Sequence, residues 1–409
     1  MKKKVYFILG GYPVVSQSFL YNQITEVIKQ DIYEVRIIVL NRKEGAVHPA
    51  YESLNEKIIF FSTGREQGVA SKLPAALRSF GKLLRRDPAL LFKALNFFKY
   101  GRDAVNGTYM ILANQFLDVE PDLLHCHFGT TAKVIADLRD MKAINCKLIT
   151  SFHGKDITVY PKQFGNAYYT RLFSTSEMFT GNSKFIINKM IDTGCPVGQI
   201  VKIPMCLNTK QFNYREEPPA MGIFKILTVG RFVEKKGHEF AIRAVALLKN
   251  AGIKFIYHLI GEGPLLDDMK ALAKSLNIYE DLVFHGAMMQ NEVISHYEQA
   301  DVFLLPSITA ADGDTEGQGL VLQEAQAIGL PVVALHNGFP DSVIDGSTGF
   351  LVPEKDFQAL AEKLILLAGD VQLRQNMGRY GRTFVESHFD SSIIGKELTA
   401  VYNKMLQTA

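Results

Sequence analysis

Short apolar runs alternate with longer stretches of helical period along this whole chain, and that alternation leaves few folds open. The runs fall at 5–9, 35–40, 58–61, 123–128, 148–152, 178–181 and 200–204, and again at 225–229, 255–260, 282–284, 302–305, 331–335 and 350–352. Helical spacing fills gaps between them, at 18–29 and 184–193 in the first half and at 238–250, 265–276, 291–299, 319–328 and 357–368 in the second. Strands alternating with helices predict an α/β protein with parallel sheets. Near 208–222, NTKQFNYREEPPAMG, the periodicity lapses while charge and proline collect. The chain is therefore expected to form two doubly wound, Rossmann-like domains, 1–207 and 208–385. Open sheets of this kind bind ligands beyond the C-terminal ends of their strands, so two facing domains predict a cleft.

Composition narrows the function classes. With 409 residues, 47% hydrophobic and 21% charged, the chain can bury two large cores. A net charge of +3 gives no call for nucleic acid. Four cysteines, Cys126, Cys146, Cys195 and Cys206, show no paired spacing and predict free thiols in a reducing cytoplasm. No stretch approaches the roughly 18 apolar residues of a membrane span. The opening MKKKVYFILGGYP has an apolar run too short for a signal peptide and reads as the first buried strand.

The chemistry concentrates in 306–331, PSITAADGDTEGQGLVLQEAQAIGLP. A polar loop delivers Glu316, the turn Gly317-Gln318-Gly319 opens a helix, and Glu324 follows. The glycines let backbone approach a ligand, and the N–H groups of Gly319, Leu320 and Val321 suit a phosphate at a helix N-terminus. Glu324, more than one turn into the helix, suits sugar hydroxyls instead. Upstream, KILTVGRFVEKKGHE ends a strand in Gly230-Arg231 and places Lys236-Gly237 at the start of the next helix. A guanidinium fork with a mobile ammonium is the pairing expected around a diphosphate.

The spacing G-R-x4-K-G, followed by G-E-G-P at 261–264, E-x7-E from Glu316 to Glu324, and HNGFPDSVIDGSTGFLVPEKD at 336–356, resembles the retaining glycosyltransferases of family 4, which have the GT-B fold. GGYPVVSQSFLYNQI, HCHFGT and TSFHGKD in the first half resemble the branch containing bacterial exopolysaccharide and colanic-acid-type transferases. The resemblance implies transfer of a hexose-type sugar from a UDP- or GDP-linked donor to a glycan or lipid-linked acceptor, with retention, no metal and no further cofactor. Arg231 and Lys236 would then bind the diphosphate, Glu316 the donor sugar and Glu324 the ribose. His153 would lie beside the transferred sugar. Gly317 to Val321 would cradle phosphate, with Gly10 and Gly11 approaching from the other domain. Gly261, Glu262 and Gly263 would flank the nucleobase together with Ala287 and Met288. His127 and Asp156 would stand on the acceptor side, Asp156 either orienting His153 or touching the acceptor, and a helix in 386–409 would cross back onto the first domain. Two departures appear. Gln318 replaces a more usual aromatic, which predicts that its side chain influences donor choice, and Asp341 replaces a more usual Glu. A nucleotide-sugar epimerase of the same fold and a non-catalytic sugar-nucleotide-binding subunit are the alternatives. The joint presence of Arg231, Lys236, Glu316 and Glu324 speaks against the second.

Three further features bear on metal, acceptor and membrane binding. On a strand, His125 and His127 share one face and Cys126 the other, a poor chelating set, so no metal is expected there. Asp312-Gly313-Asp314 reads as a solvated loop or an acceptor contact. Residues 64–103 carry many cations, among them Arg65, Arg78, Arg85, Arg86 and Lys99, with leucine and phenylalanine at helical spacing. Such helices either lie on anionic membrane or pack their apolar faces into the core.

Overall fold

The computed structural model describes residues 1–14, 17–43, 49–63, 69–216, 222–336 and 341–407. Arg65, part of the 208–222 linker and residues 337–340 of the 336–356 motif lie outside them.

Each apolar run of the sequence forms a strand. In chain order these are β1 (Lys4–Leu9), β2 (Glu34–Val39), β3 (Ile58–Phe60), β4 (Leu123–His127), β5 (Lys147–Phe152), β6 (Met178–Gly181), β7 (Ile200–Lys202), β8 (Phe224–Val229), β9 (Phe255–Ile260), β10 (Leu282–Gly286), β11 (Val302–Leu305), β12 (Val332–Leu335) and β13 (Gly349–Val352). They make two sheets, ordered β3-β2-β1-β4-β5-β6-β7 and β10-β9-β8-β11-β12-β13. Every pairing within them is parallel. Parallel strands are joined by helical crossovers that cover both faces, which is why the central strands are buried along most of their length. All five residues of β4 are buried, as are five of six in β1.

Two compact units hold these sheets. The first comprises Met1–Asn182, Ile186–Ile203 and Gly395–Ala409, and the second Ser183–Phe185 and Pro204–Ile394. From Gly395 onward the C-terminal helix Ser391–Gln407 belongs to the first unit and lies close on the helix Ser18–Lys29. A Cβ on Gly395 would stand 2.7 Å from Glu26 Cβ. In the second unit, alternate strand residues feed two cores. Ile226, Tyr257, Leu259 and Leu304 pack with Val245, Leu248 and Leu364 on one face. Leu227, Ile260, Phe303 and Leu305 pack with Leu322, Ile328 and Val385 on the other.

Sequence spacing did not reveal the helix Val371–His388, which is polar on most sides. Its Arg374 is buried, 3.6 Å from Asp301, and bonds the carbonyl end of the preceding helix at Leu367. The basic segment forms the helices Val69–Arg86, Pro88–Ala94, Phe97–Tyr100 and Arg102–Val105. Its apolar residues divide between inside and outside. Leu83, Leu90, Leu91 and Ala94 are buried, whereas Leu77, Phe80, Leu84, Phe92, Leu95 and Phe98 are exposed. Among the described residues no helix is long and apolar enough to cross a membrane.

Candidate functional site

The glycines of the second unit bring three strand ends together. Gly261 and Gly263 have φ of +139° and +157°, and a Cβ there would fall 2.1 Å from the Gly230 carbonyl oxygen and 2.4 Å from that of Phe232. Only glycine permits so close an approach. The turn after β9 is thereby pressed onto the segment after β8, and Gly261 N–H donates to the Gly286 carbonyl at the end of β10. Gly237, φ +60°, makes a similar approach to the Pro306 carbonyl beyond β11. Lys236 closes a short 3-10 turn, Glu234–Lys236, and the α-helix begins one residue after Gly237, at His238. The stem of Lys236 lies over Gly230, where a Cβ would stand 3.3 Å from its Cδ.

This packing delivers a cationic cluster to Glu316. Lys236 Nζ stands 2.8 Å from Glu316 Oε1 and Lys235 Nζ 3.8 Å from the same atom, while Lys235 also reaches Asp314 at 3.2 Å. Burial alone would raise the Glu316 pKa. Lys236, Lys235 and Arg231 outweigh it and hold the carboxyl at about 2. Glu324 has the opposite balance. Burial pushes it up to about 7, although the Tyr297 hydroxyl donates to it at 3.0 Å and Lys236 draws it down. The helix Leu320–Ile328 starts from Gly319, φ +73°, and no side chain caps it. Behind the turn, Ser183 Oγ donates to the Gly317 carbonyl and Ser342 Oγ to the Gln318 carbonyl, both at 2.6 Å. A peptide fixed from its carbonyl side, beside an uncapped helix start and three cations, is suited to an anion carrying hydroxyl groups.

The first unit has its own polar cluster at the ends of β4 and β5. His125 is fully buried and saturated, 2.5 Å from the Tyr402 hydroxyl and 2.7 Å from Ser151 Oγ, which in turn lies 2.6 Å from Thr180 Oγ1. His127 Nδ1 lies 3.1 Å from His153 Nε2. The outer nitrogens of that pair, His127 Nε2 and His153 Nδ1, find no partner among the described residues. Burial holds His153 neutral, with its pKa lowered to about 3. Asp156 accepts three backbone N–H bonds, from Gly129 and Gly154 at 2.9 Å and from His153 at 3.1 Å.

Residues 210–384 match the family described as Glycosyl transferases group 1. Over 408 residues the chain is 32% identical to the putative colanic acid biosynthesis glycosyltransferase WcaL of Salmonella typhimurium, covering 97% of this chain and 99% of that one. This chain belongs to the group 1 glycosyltransferases. It is also 32% identical to the amylovoran biosynthesis glycosyltransferase AmsK of Erwinia amylovora, over 98% of this chain and all of that one. In fold it is similar to Anabaena Alr3699/HepE in complex with UDP, with a TM-score of 0.71, 15% identity and coverage of 98% and 100%. The glycosyltransferase thus has the GT-B fold.

Some side chains of the glycosyltransferase that the sequence places at the site are engaged within the protein instead. Gln318 does not turn its side chain toward a ligand. It is 1% exposed, donating to the Met205 carbonyl at 2.9 Å and accepting from the Met205 N–H at 2.7 Å. Of the two roles expected for Asp156, the backbone bonds of its carboxylate match the orienting one, since they shape the His153 turn. His127 is fully buried, so His153 is the imidazole of that pair nearer the surface. Arg231, Lys236, Glu316, Gly317–Val321, Glu324, Gly261, Glu262 and Gly263 all belong to the second unit, as do Ala287 and Met288 just past β10. Gly10 and Gly11 follow β1 in the first, with the Gly10 carbonyl held by Asn41 at 2.7 Å. Sequence reasoning missed Lys235 and Tyr297. The doubled lysine at 235–236 was a usable signal for the first, whereas nothing local marks a tyrosine on a neighbouring helix.

Proposed function

We propose that this glycosyltransferase moves a hexose-type unit from a UDP- or GDP-linked sugar to a hydroxyl of a glycan or lipid-linked acceptor in surface polysaccharide assembly. The observation that carries the reading is the cluster of Lys235, Lys236 and Arg231 around an ionised Glu316 beside the uncapped helix at Gly319. A departing nucleoside diphosphate gains charge as the glycosidic bond breaks. Cations and helix N–H groups already fixed at that position stabilise it without reorganising. In this reading they do the work that a divalent ion does elsewhere. Glu316 positions the sugar hydroxyls, Glu324 the ribose, and the 261–263 and 287–288 segments border the base. Gly10, Gly11 and His153 are further residues we assign to the transferred sugar.

No side chain of the cluster is placed as a free nucleophile, since Glu316 is engaged by lysine. Front-face departure with retention is the mechanism we infer, the leaving phosphate oxygen taking the acceptor proton. The names of the WcaL and AmsK relatives support an exopolysaccharide acceptor, and the UDP complex of the structural neighbour supports a uridine donor. Exposed Leu77, Phe80, Leu84, Phe92 and Phe98, set among Arg78, Arg85 and Lys93, suit peripheral contact with an anionic membrane that holds a lipid-linked acceptor. The test is transfer from a panel of nucleotide sugars, with product anomeric configuration read by NMR and turnover compared with and without chelator. Lys236→Ala and Glu316→Ala should each abolish transfer. Full activity in both would overturn the site, and an inverted product or chelator sensitivity would overturn the mechanism. Failure of the chain to sediment with anionic vesicles at low salt would remove the membrane contact.

A further inference from the structure

Three histidines to which the proposed reaction gives no role meet on one side of the second unit. His258 stands on β9, His285 on the edge strand β10, and His296 on the helix Gln290–Gln299. Strand register explains the meeting. β9 and β10 run in step from Leu282 opposite Tyr257 to Phe284 opposite Leu259, then slip so that Gly286 faces Ile260. His285 is the extra residue of that bulge, and a bulge re-aims a side chain. It brings His285 Nε2 to 2.9 Å from His258 Nδ1. His296 completes the set, its ring centroid 4.5 Å from that of His285 and 5.6 Å from that of His258.

One ring nitrogen from each histidine lies within 4.8 Å of the others. Around a tetrahedral zinc with bonds of about 2.0–2.1 Å, ligand nitrogens sit roughly 3.3 Å apart, so small side-chain rotations close the set. Each neutral imidazole offers a ring-nitrogen lone pair to a metal ion. A hydrogen-bonded His258–His285 pair on its own accounts for two of the rings. It gives no reason for a third imidazole converging on the same point from a separate helix. All three are partly exposed, which leaves an open side for a solvent ligand.

We propose that His258, His285 and His296 bind one borderline divalent transition-metal ion, with Zn²⁺ as the representative, and that the ion ties the edge strand β10 and the helix Gln290–Gln299 to β9. Imidazole donors select this class over Mg²⁺ or Ca²⁺. The site is formed by residues other than those placed around the diphosphate, and it stands whether or not the donor reading holds.

Zn²⁺ titrated into the full chain, purified without an affinity tag, tests it by calorimetry and thermal unfolding. One equivalent should bind and raise Tm. His285→Ala and His296→Gln should each weaken binding by more than the roughly 10–100-fold that loss of an outer-shell partner costs, while leaving the metal-free Tm near that of the parent. No uptake by the parent, or equal uptake by parent and variants, overturns the site. Should a variant misfold, Co²⁺ in the parent chain decides. A visible d–d spectrum without a thiolate charge-transfer band supports three imidazoles, and a thiolate band moves the ion to a cysteine and overturns the proposal.

Discussion

Lys236 Nζ and Glu316 Oε1 are 2.8 Å apart, on side chains only 13% and 14% exposed and 80 residues apart in the chain. At that burial neither charge is tolerable alone, because the desolvation cost of each is offset chiefly by the other. The pair fixes the loop after β8 against the loop after β11, and it keeps an ionised carboxylate beside the helix at Gly319.

Lys236→Ala should therefore cost stability as well as activity. We expect about 3 kcal/mol, at the low end for a broken buried pair because Lys235 lies 3.8 Å away. A Lys236→Met, Glu316→Gln double variant should recover most of that stability and none of the transfer. Denaturant unfolding of the single and double variants measures the coupling.

Glu316 also sets an acid limb. Its folded-state value of about 2 lies below the usual ~4.3 of a glutamate, so its contribution is present above pH ~4.3 and lost as pH falls toward 2. The shift corresponds to about 3 kcal/mol. Glu316→Gln should flatten the Tm–pH curve across that window, and an unchanged acid limb would remove this carboxylate as its cause.

Glu324 works in the other direction. Raised to about 7, it contributes stability that is present below pH ~4.3 and lost as pH climbs through 7. Glu324→Gln should be more stable than the parent at pH 8, by at most about 4 kcal/mol, and no more stable at pH 4. If the ionised form grips ribose, donor affinity in the parent rises between pH 6 and 8 and that rise disappears in the variant. Thermal unfolding and donor titration at the two ends of the range check both parts.

Gln318→Ala removes two buried hydrogen bonds and strands the Met205 N–H and carbonyl. The expected loss is about 2–3 kcal/mol with the ranking of donor sugars unchanged. A changed ranking in a donor panel would return donor choice to this side chain.

Tyr402→Phe tests the attachment of the C-terminal helix to the first unit. The hydroxyl serves the fully buried His125 at 2.5 Å, and Asn403 accepts from Tyr33 at 2.6 Å one residue further on. Loss of the Tyr402 hydroxyl leaves His125 Nδ1 unpaired, at about 1–3 kcal/mol. Hydrogen exchange should rise in β1 and β4, and not in β8 to β13.

Strand order along the chain, the helices between strands and the glycines at 261, 263 and 319 were legible from local pattern. Period and glycine placement are properties of neighbouring residues, and burial imposes them directly on sequence. The polar helix Val371–His388 was not legible, since its burial depends on Arg374 meeting Asp301 from far along the chain. The same holds for the partners of single side chains. Gln318, standing where an aromatic is more usual, reads as a determinant of donor choice, yet its amide is engaged by the Met205 backbone, 113 residues away. Asp156 looked like a cleft acid because it follows a strand end, yet three N–H groups converge on it. Local pattern is enough for two parallel sheets and for a clustering of cations, carboxylates and glycines at strand ends in the second unit. Long-range packing sets the opposite pKa shifts of Glu316 and Glu324, turns the Gln318 amide inward and, through a bulge in β10, brings three histidines together. Those outcomes depend on register and on contacts between residues distant in the chain, which no local periodicity records.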